Sequence, residues 1–247
     1  MRYFVAFSYN GMAYHGWQNQ PNAITVQEVL EKALSTLLRE QIHVVGAGRT
    51  DAGVHAKQMY AHFDSNQHLD FGNLVFRMNS FLPDDIAIQG FKTAKPDAHA
   101  RFDALERTYE YWIVQHKNPF YSTSAHCIVK PLDIDAMNEA ASILKGYRDF
   151  ECFSKSNTDV RTFICDIKSA FWTEGPEKLV FTITADRFLR NMVRAIVGTV
   201  LEVGLGRITP GAIKTIIESK DRSKAGASVP AKGLYLTRVI YPETIFE

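Results

Sequence analysis

The chain has 247 residues, 46% of them hydrophobic and 22% charged, with a formal net charge of +1 at pH 7. That is ordinary for a soluble globular protein with room for one large or two modest cores, and no global field advertises a polyanionic partner. Cys127, Cys152 and Cys165 are odd in number and widely spaced without a CxxC. This suggests neither a disulfide framework nor a zinc site and reads as buried thiols in a reducing cytosol.

Arg2 to Tyr9 has the composition and length of a strand, with Tyr3, Val5, Phe7 and Tyr9 on one side. A loop rich in glycine and aromatics follows. Thr25 and Glu28 then form a capping box, and Val26, Val29, Leu30, Ala33, Leu34, Leu37 and Leu38 recur at helical spacing. "IHVVG" and "KQMYAHF" predict strands. Asp70 caps a second helix that runs through Phe81, with Phe71, Leu74, Val75 and Met78 inward, and "DDIAIQGF" returns as a strand. The order strand, helix, strand, strand, helix, strand is the split βαβ, ferredoxin-like pattern.

The second half repeats that order without obvious internal similarity. "ERTYEYWIVQH" is a strand, "LDIDAMNEAASILKG" a helix capped by Asp133, and "ICDIKSAFWTE" and "KLVFTIT" are strands about a Gly175-Pro176 turn. "DRFLRNMVRAIVGTVLEVG" predicts one helix, "TPGAIKTIIES" another with Thr209 at its cap, and "LYLTRVIY" a closing strand. The expected class is α+β: two ferredoxin-like halves, residues 1–104 and 105–247, sharing a mixed, mainly antiparallel sheet with helices packed on it and an active-site cleft between them. The N-terminus lacks the regions of a signal peptide and no run reaches membrane-spanning length, so a cytoplasmic chain without a membrane partner is expected.

Between two predicted strands lies "GAGRTDAGVHA", residues 46–56. A dinucleotide fingerprint would need glycine where Asp51 stands. A Walker loop would need a terminal Gly-Lys-Ser/Thr, and a calcium loop more oxygen ligands. What remains is one carboxylate on a glycine-flanked turn, where small neighbours admit a large planar substrate and glycine permits angles that aim a side chain outward. A lone carboxylate beside arginine suits a nucleophile or base; it equally suits a hairpin turn with a solvated Arg–Asp pair, worth roughly 0–1 kcal/mol. The residues alone leave both open.

The same eleven residues resemble the G-R-T-D-x-G-V-H motif of the TruA family of tRNA pseudouridine synthases. "YNGMAYHGWQNQ", "HARFDALERTYEYWI", "FLRNMVRAIVGTVLEVG" and "PAKGLYLTRVIY" are similar, in order, to that family's further motifs, so the resemblance spans the chain. Asn10 stands where the family often has Asp, and Arg148 where it often has His. The resemblance implies isomerisation of uridine to pseudouridine at positions 38, 39 or 40 of tRNA, on the 3′ side of the anticodon stem and loop. It implies a homodimer that uses neither cofactor nor metal.

By that resemblance Asp51 is the catalytic carboxylate, Tyr109 the active-site tyrosine, and Arg194 the partner of Asp51. Arg49 holds the flipped nucleotide's phosphate or braces its loop. Arg187 and Arg190, placed with Arg194 on one face of the predicted helix, become candidates for RNA phosphates. Residues 186–224 hold eight Arg or Lys against four acids, a local balance of +4 suited to steering RNA. Trp17, with Tyr14 and His15, could stack on exposed bases. A non-catalytic RNA-binding protein of the same fold, and a ferredoxin-like oligomer binding a metabolite, are the competing readings.

Overall fold

The computed structural model describes residues 1–155 and 160–247. Among them are nine strands and five α-helices: β1 (Arg2–Tyr9), α1 (Val26–Leu38), β2 (Val45–Gly46), β3 (His55–Asp64), α2 (Phe71–Phe81), β4 (Ile86–Ala94), β5 (Glu106–Val114), β6 (His126–Cys127), α3 (Ile134–Ile143), β7 (Ile167–Glu174), β8 (Leu179–Ala185), α4 (Met192–Gly204), α5 (Ala212–Ser219) and β9 (Leu234–Ile240). Strand pairing is mixed and mainly antiparallel. The chain gathers into two compact units, Met1–Glu106 with Tyr235–Glu247, and Arg107–Leu234.

In the first unit β1 is central, antiparallel to β3 on one side and to β4 on the other. Tyr3, Val5, Phe7 and Tyr9 are all buried, as the alternation predicts, and Phe4 on the opposite face is buried too. Beyond β3, β2 is antiparallel at Ala61 and His62, so the strands stand in the ferredoxin-like order β4-β1-β3-β2. The same edge of β3 is taken at His55 and Ala56 by β9, in parallel. By sequence order β9 closes the second half; in space it groups with the first unit. Thr25 caps α1, its hydroxyl accepting from the Glu28 amide at 3.3 Å, and Asp70 caps α2 through the Asn73 amide at 3.2 Å.

In the second unit the order is β5-β8-β7, antiparallel, with β6 parallel to β5 at Ile113 and Val114. Asp133 caps α3 as expected, accepting from the Ala136 amide at 2.9 Å. Two helices begin later than their sequence predicts. The nominal cap of α5 is Gly211 rather than Thr209. α4 starts at Met192 rather than near Asp186, because Asn191 takes a left-handed conformation at φ 67°. Ahead of it, the Asp186 carboxylate accepts from the amides of Asp166 and Arg187, both at 2.7 Å, pinning a non-helical corner. Of the thiols, Cys152 and Cys165 are buried, whereas Cys127 is exposed.

Candidate active-site residues

Asp51 sits, half-buried, in the connection between β2 and β3, flanked by an exposed Arg49. The turn closes on itself where the Val54 amide donates to the Asp51 carbonyl at 3.2 Å. What frames it is the loop after β1. The Trp17 amide donates to the Thr50 carbonyl at 3.3 Å, the Gly53 amide to the Tyr14 carbonyl at 3.4 Å, and the Tyr9 and Thr50 hydroxyls share a hydrogen bond of 2.9 Å. The Gly11 amide donates to Nδ1 of His55, a buried histidine stacked on Tyr235 at 4.5 Å. His55 thus props the loop after β1 against the start of β3.

Glycine is required twice in this frame by close approach. A Cβ at Gly11 would lie 1.9 Å from the Val54 carbonyl oxygen, and one at Gly16, where φ is +87°, 2.4 Å from that of Thr50. The backbone carrying Asp51 is therefore clamped by main-chain atoms from a loop some forty residues earlier in the chain.

Trp17 does not offer a surface for stacking on bases. It is 3% exposed, its ring lying under Gly46 and 5.5 Å from Phe7, so it wedges the base of the turn. Tyr14 is also buried, its hydroxyl bonded to Asp85 at 2.5 Å; burial, the larger cause, and that carboxylate push the phenol well above its ordinary range. Of the three candidates only His15 is exposed. Asn10 accepts from the Met12 amide at 3.1 Å, a capping role that needs an acceptor oxygen and is open to Asn as to Asp.

The second unit holds the other predicted residues. Tyr109 and Tyr111 project from the same face of β5, and burial separates them. Tyr111 is fully buried and its hydroxyl donates to the Pro230 carbonyl at 2.9 Å. Burial pushes that phenol far up, with the Arg194 charge opposing. Tyr109 is half-buried, its ring edge-on to Phe188 at 5.2 Å. Phe188 falls within the stretch predicted as one helix; it lies before α4 and backs Tyr109 instead.

Arg194 and Glu202 are the two residues of α4 that are not buried. Arg194 Nε donates to the Val229 carbonyl at 2.8 Å, while the Val229 amide donates to the Arg194 carbonyl at 3.2 Å. Residues 225–229 cross α4 as a strap at Gly198, where a Cβ would meet the Ala227 carbonyl oxygen at 1.8 Å. The Gly226 amide also donates to Thr199 Oγ1 at 2.8 Å. This strap aims the guanidinium, and nothing in the helical periodicity announces it. Arg187, half-buried, and Arg190, exposed, precede the helix, so the expected helical row of three arginines does not form. Among the described residues no group of three or more His, Cys, Asp or Glu is placed to hold a metal ion, and no helix is long and apolar enough to cross a membrane.

A family model described as tRNA pseudouridine synthase matches residues 5–103 and 140–242. The tRNA pseudouridine synthase A of Bacteroides thetaiotaomicron is 54% identical, covering 99% of this chain and 92% of the relative. That of Bacteroides fragilis is likewise 54% identical over 100% and 98%, and that of Parabacteroides distasonis 52% over 99% and 98%. The chain belongs to the tRNA pseudouridine synthase family, a class of RNA-modifying isomerases.

Proposed function

We propose that this chain isomerises uridine to pseudouridine in tRNA, with Asp51 as the catalytic carboxylate. The observation that carries the assignment is the clamp on its turn: Gly11 and Gly16 pack against the Val54 and Thr50 carbonyls, Trp17 and Tyr14 hydrogen-bond the backbone at Thr50 and Gly53, and Tyr9 holds the Thr50 hydroxyl, fixing the backbone that carries a half-buried Asp51. Such preorganisation is costly to build and serves chemistry that depends on position. The reaction breaks the N1–C1′ bond, turns the freed uracil, forms the C5–C1′ bond, and moves the C5 proton off carbon as N1 regains one. Atoms and electrons balance without an external reagent. Asp51 attacks C1′, adds to C6 or removes the C2′ proton; each route uses the same carboxylate.

In this reading Tyr109, half-buried where Tyr111 is fully buried, stacks on the uracil, and its hydroxyl assists loss of the C5 proton. Arg194 pairs with Asp51, Arg49 holds the phosphate of the everted nucleotide, and Arg187 and Arg190 take further phosphates. The target is a uridine on the 3′ side of the anticodon stem and loop, and the working form is a cytoplasmic homodimer. The test is to incubate wild type and Asp51→Asn with unmodified tRNA transcripts and map pseudouridine by carbodiimide-based primer extension. Wild type marks the anticodon arm; Asp51→Asn binds the transcript and leaves it unmarked. Normal product from that variant sinks the assignment.

A further inference from the structure

Among the described aromatic side chains, Phe120 and Phe102 are the most exposed, at 91% and 74%. What stands behind Phe102 sets it apart. Its ring lies 4.3 Å from that of His99, which lies 4.7 Å from that of His62, so three rings run from the core strand β3 out to the surface. The backbone beneath is tied down throughout. The Ala100 amide donates to His62 Nδ1 and the Arg101 amide to His99 Nδ1, each at 3.1 Å. The Asp103 carboxylate accepts from the His99 amide at 2.6 Å, the Tyr241 hydroxyl donates to the Ala100 carbonyl at 2.5 Å, and Arg2 donates to the Ala98 carbonyl at 3.0 Å. Burial lowers the pKa of both histidines, His62 to about 4, which keeps their Nδ1 atoms as neutral acceptors.

A ring held this rigidly loses little conformational entropy when a planar ligand stacks on it. A protein partner needs about 800 Å² of complementary surface on each side. Here the flanking side chains are Arg101, whose guanidinium carbon sits 5.7 Å from the ring, and a half-buried Asp103. A planar ring with a fixed backing and an adjacent cation matches one unstacked base and its phosphate. His62 is seven residues along β3 from His55, roughly 23 Å at the rise of a strand, so the base is not the reacting uridine. We propose that Phe102, backed by His99 and His62 and flanked by Arg101, is a stacking platform for an unpaired tRNA base remote from the catalytic turn; this rests on tRNA being the substrate.

The experiment compares wild type with Phe102→Trp, Phe102→Leu and Phe102→Ala, measuring Kd for unmodified tRNA across a salt series, pseudouridine yield, melting temperature and sedimentation. The Leu and Ala variants raise Kd about 5- to 100-fold, Trp stays within about threefold, and the salt slope is common to all because no phosphate contact is lost. Melting temperatures stay level. A Leu variant that binds like wild type overturns the proposal, and so does a loss in Ala that follows a change in oligomeric state. If wild type still binds tRNA and makes pseudouridine in those cases, only this inference fails; if it does neither, the underlying reading fails with it.

Discussion

Replacing Gly16 by alanine tests whether the clamp positions Asp51. The new Cβ would sit 2.4 Å from the Thr50 carbonyl oxygen and 3.2 Å from the Asp51 carbonyl carbon, at φ +87°. Because the obstacle is backbone, relief requires the turn or the loop to move by about 1 Å to reach ordinary contact. Left-handed geometry costs a residue with a Cβ about 1–2 kcal/mol, and overpacking adds about 1–3, so roughly 2–5 kcal/mol of stability is lost. For a chain of this size that lowers the melting temperature by roughly 5–15 °C. A displacement of about 1 Å at the reacting group lowers turnover by about 100-fold. Thermal melts and single-turnover pseudouridine formation, at a temperature where the variant stays folded, read the two effects. Gly48→Ala is the control within the same motif, since a Cβ there meets nothing within 4 Å, and its melting temperature should hold. A Gly16→Ala protein with wild-type stability and turnover would refute the idea that backbone contact aims the carboxylate.

Two further predictions concern named side chains. Tyr111→Phe removes the hydrogen bond from a fully buried phenol to the Pro230 carbonyl and should cost about 0.5–1.5 kcal/mol of stability with turnover nearly intact, whereas Tyr109→Phe should change the melt less and lower the chemical rate by about 100-fold or more; the reverse pattern in melts and single-turnover rates would exchange the two assignments. His62 titrates at about 4 when folded and near 6.5 when unfolded, so between those values the unfolded chain binds a proton that the folded chain does not. Stability should therefore fall as pH drops from 6.5 to 4, by on the order of 3 kcal/mol, with half-buried His99 acting in the same sense, and His62→Asn should flatten that slope in melts taken across the window.

The parts of this fold legible in the sequence are those decided locally. α1 and α2 are announced by a cap and a period, and both caps bond as their spacing predicts. The start of α4 is not local: one asparagine in a left-handed conformation and a carboxylate pinning two amides cut the predicted helix short and remove two of three arginines from its face. Trp17 misleads for a related reason. A tryptophan among glycines reads as exposed until the chain brings Gly46 against its ring. At the proposed site, Asp51 stands out because its motif is contiguous, whereas Tyr109 and Tyr111 have the same strand phase, which does not separate them; burial does. The strap that aims Arg194 acts through its backbone and small residues, which carry no chemical signature of their own. Side-chain chemistry marks which residue reacts, while close contact between main chains decides where it points, and such contacts leave a trace in sequence only where a glycine is the sole residue that fits. Gly11 and Gly16 are as much part of the carboxylate's position as Asp51 itself, though neither has a group that could touch a substrate.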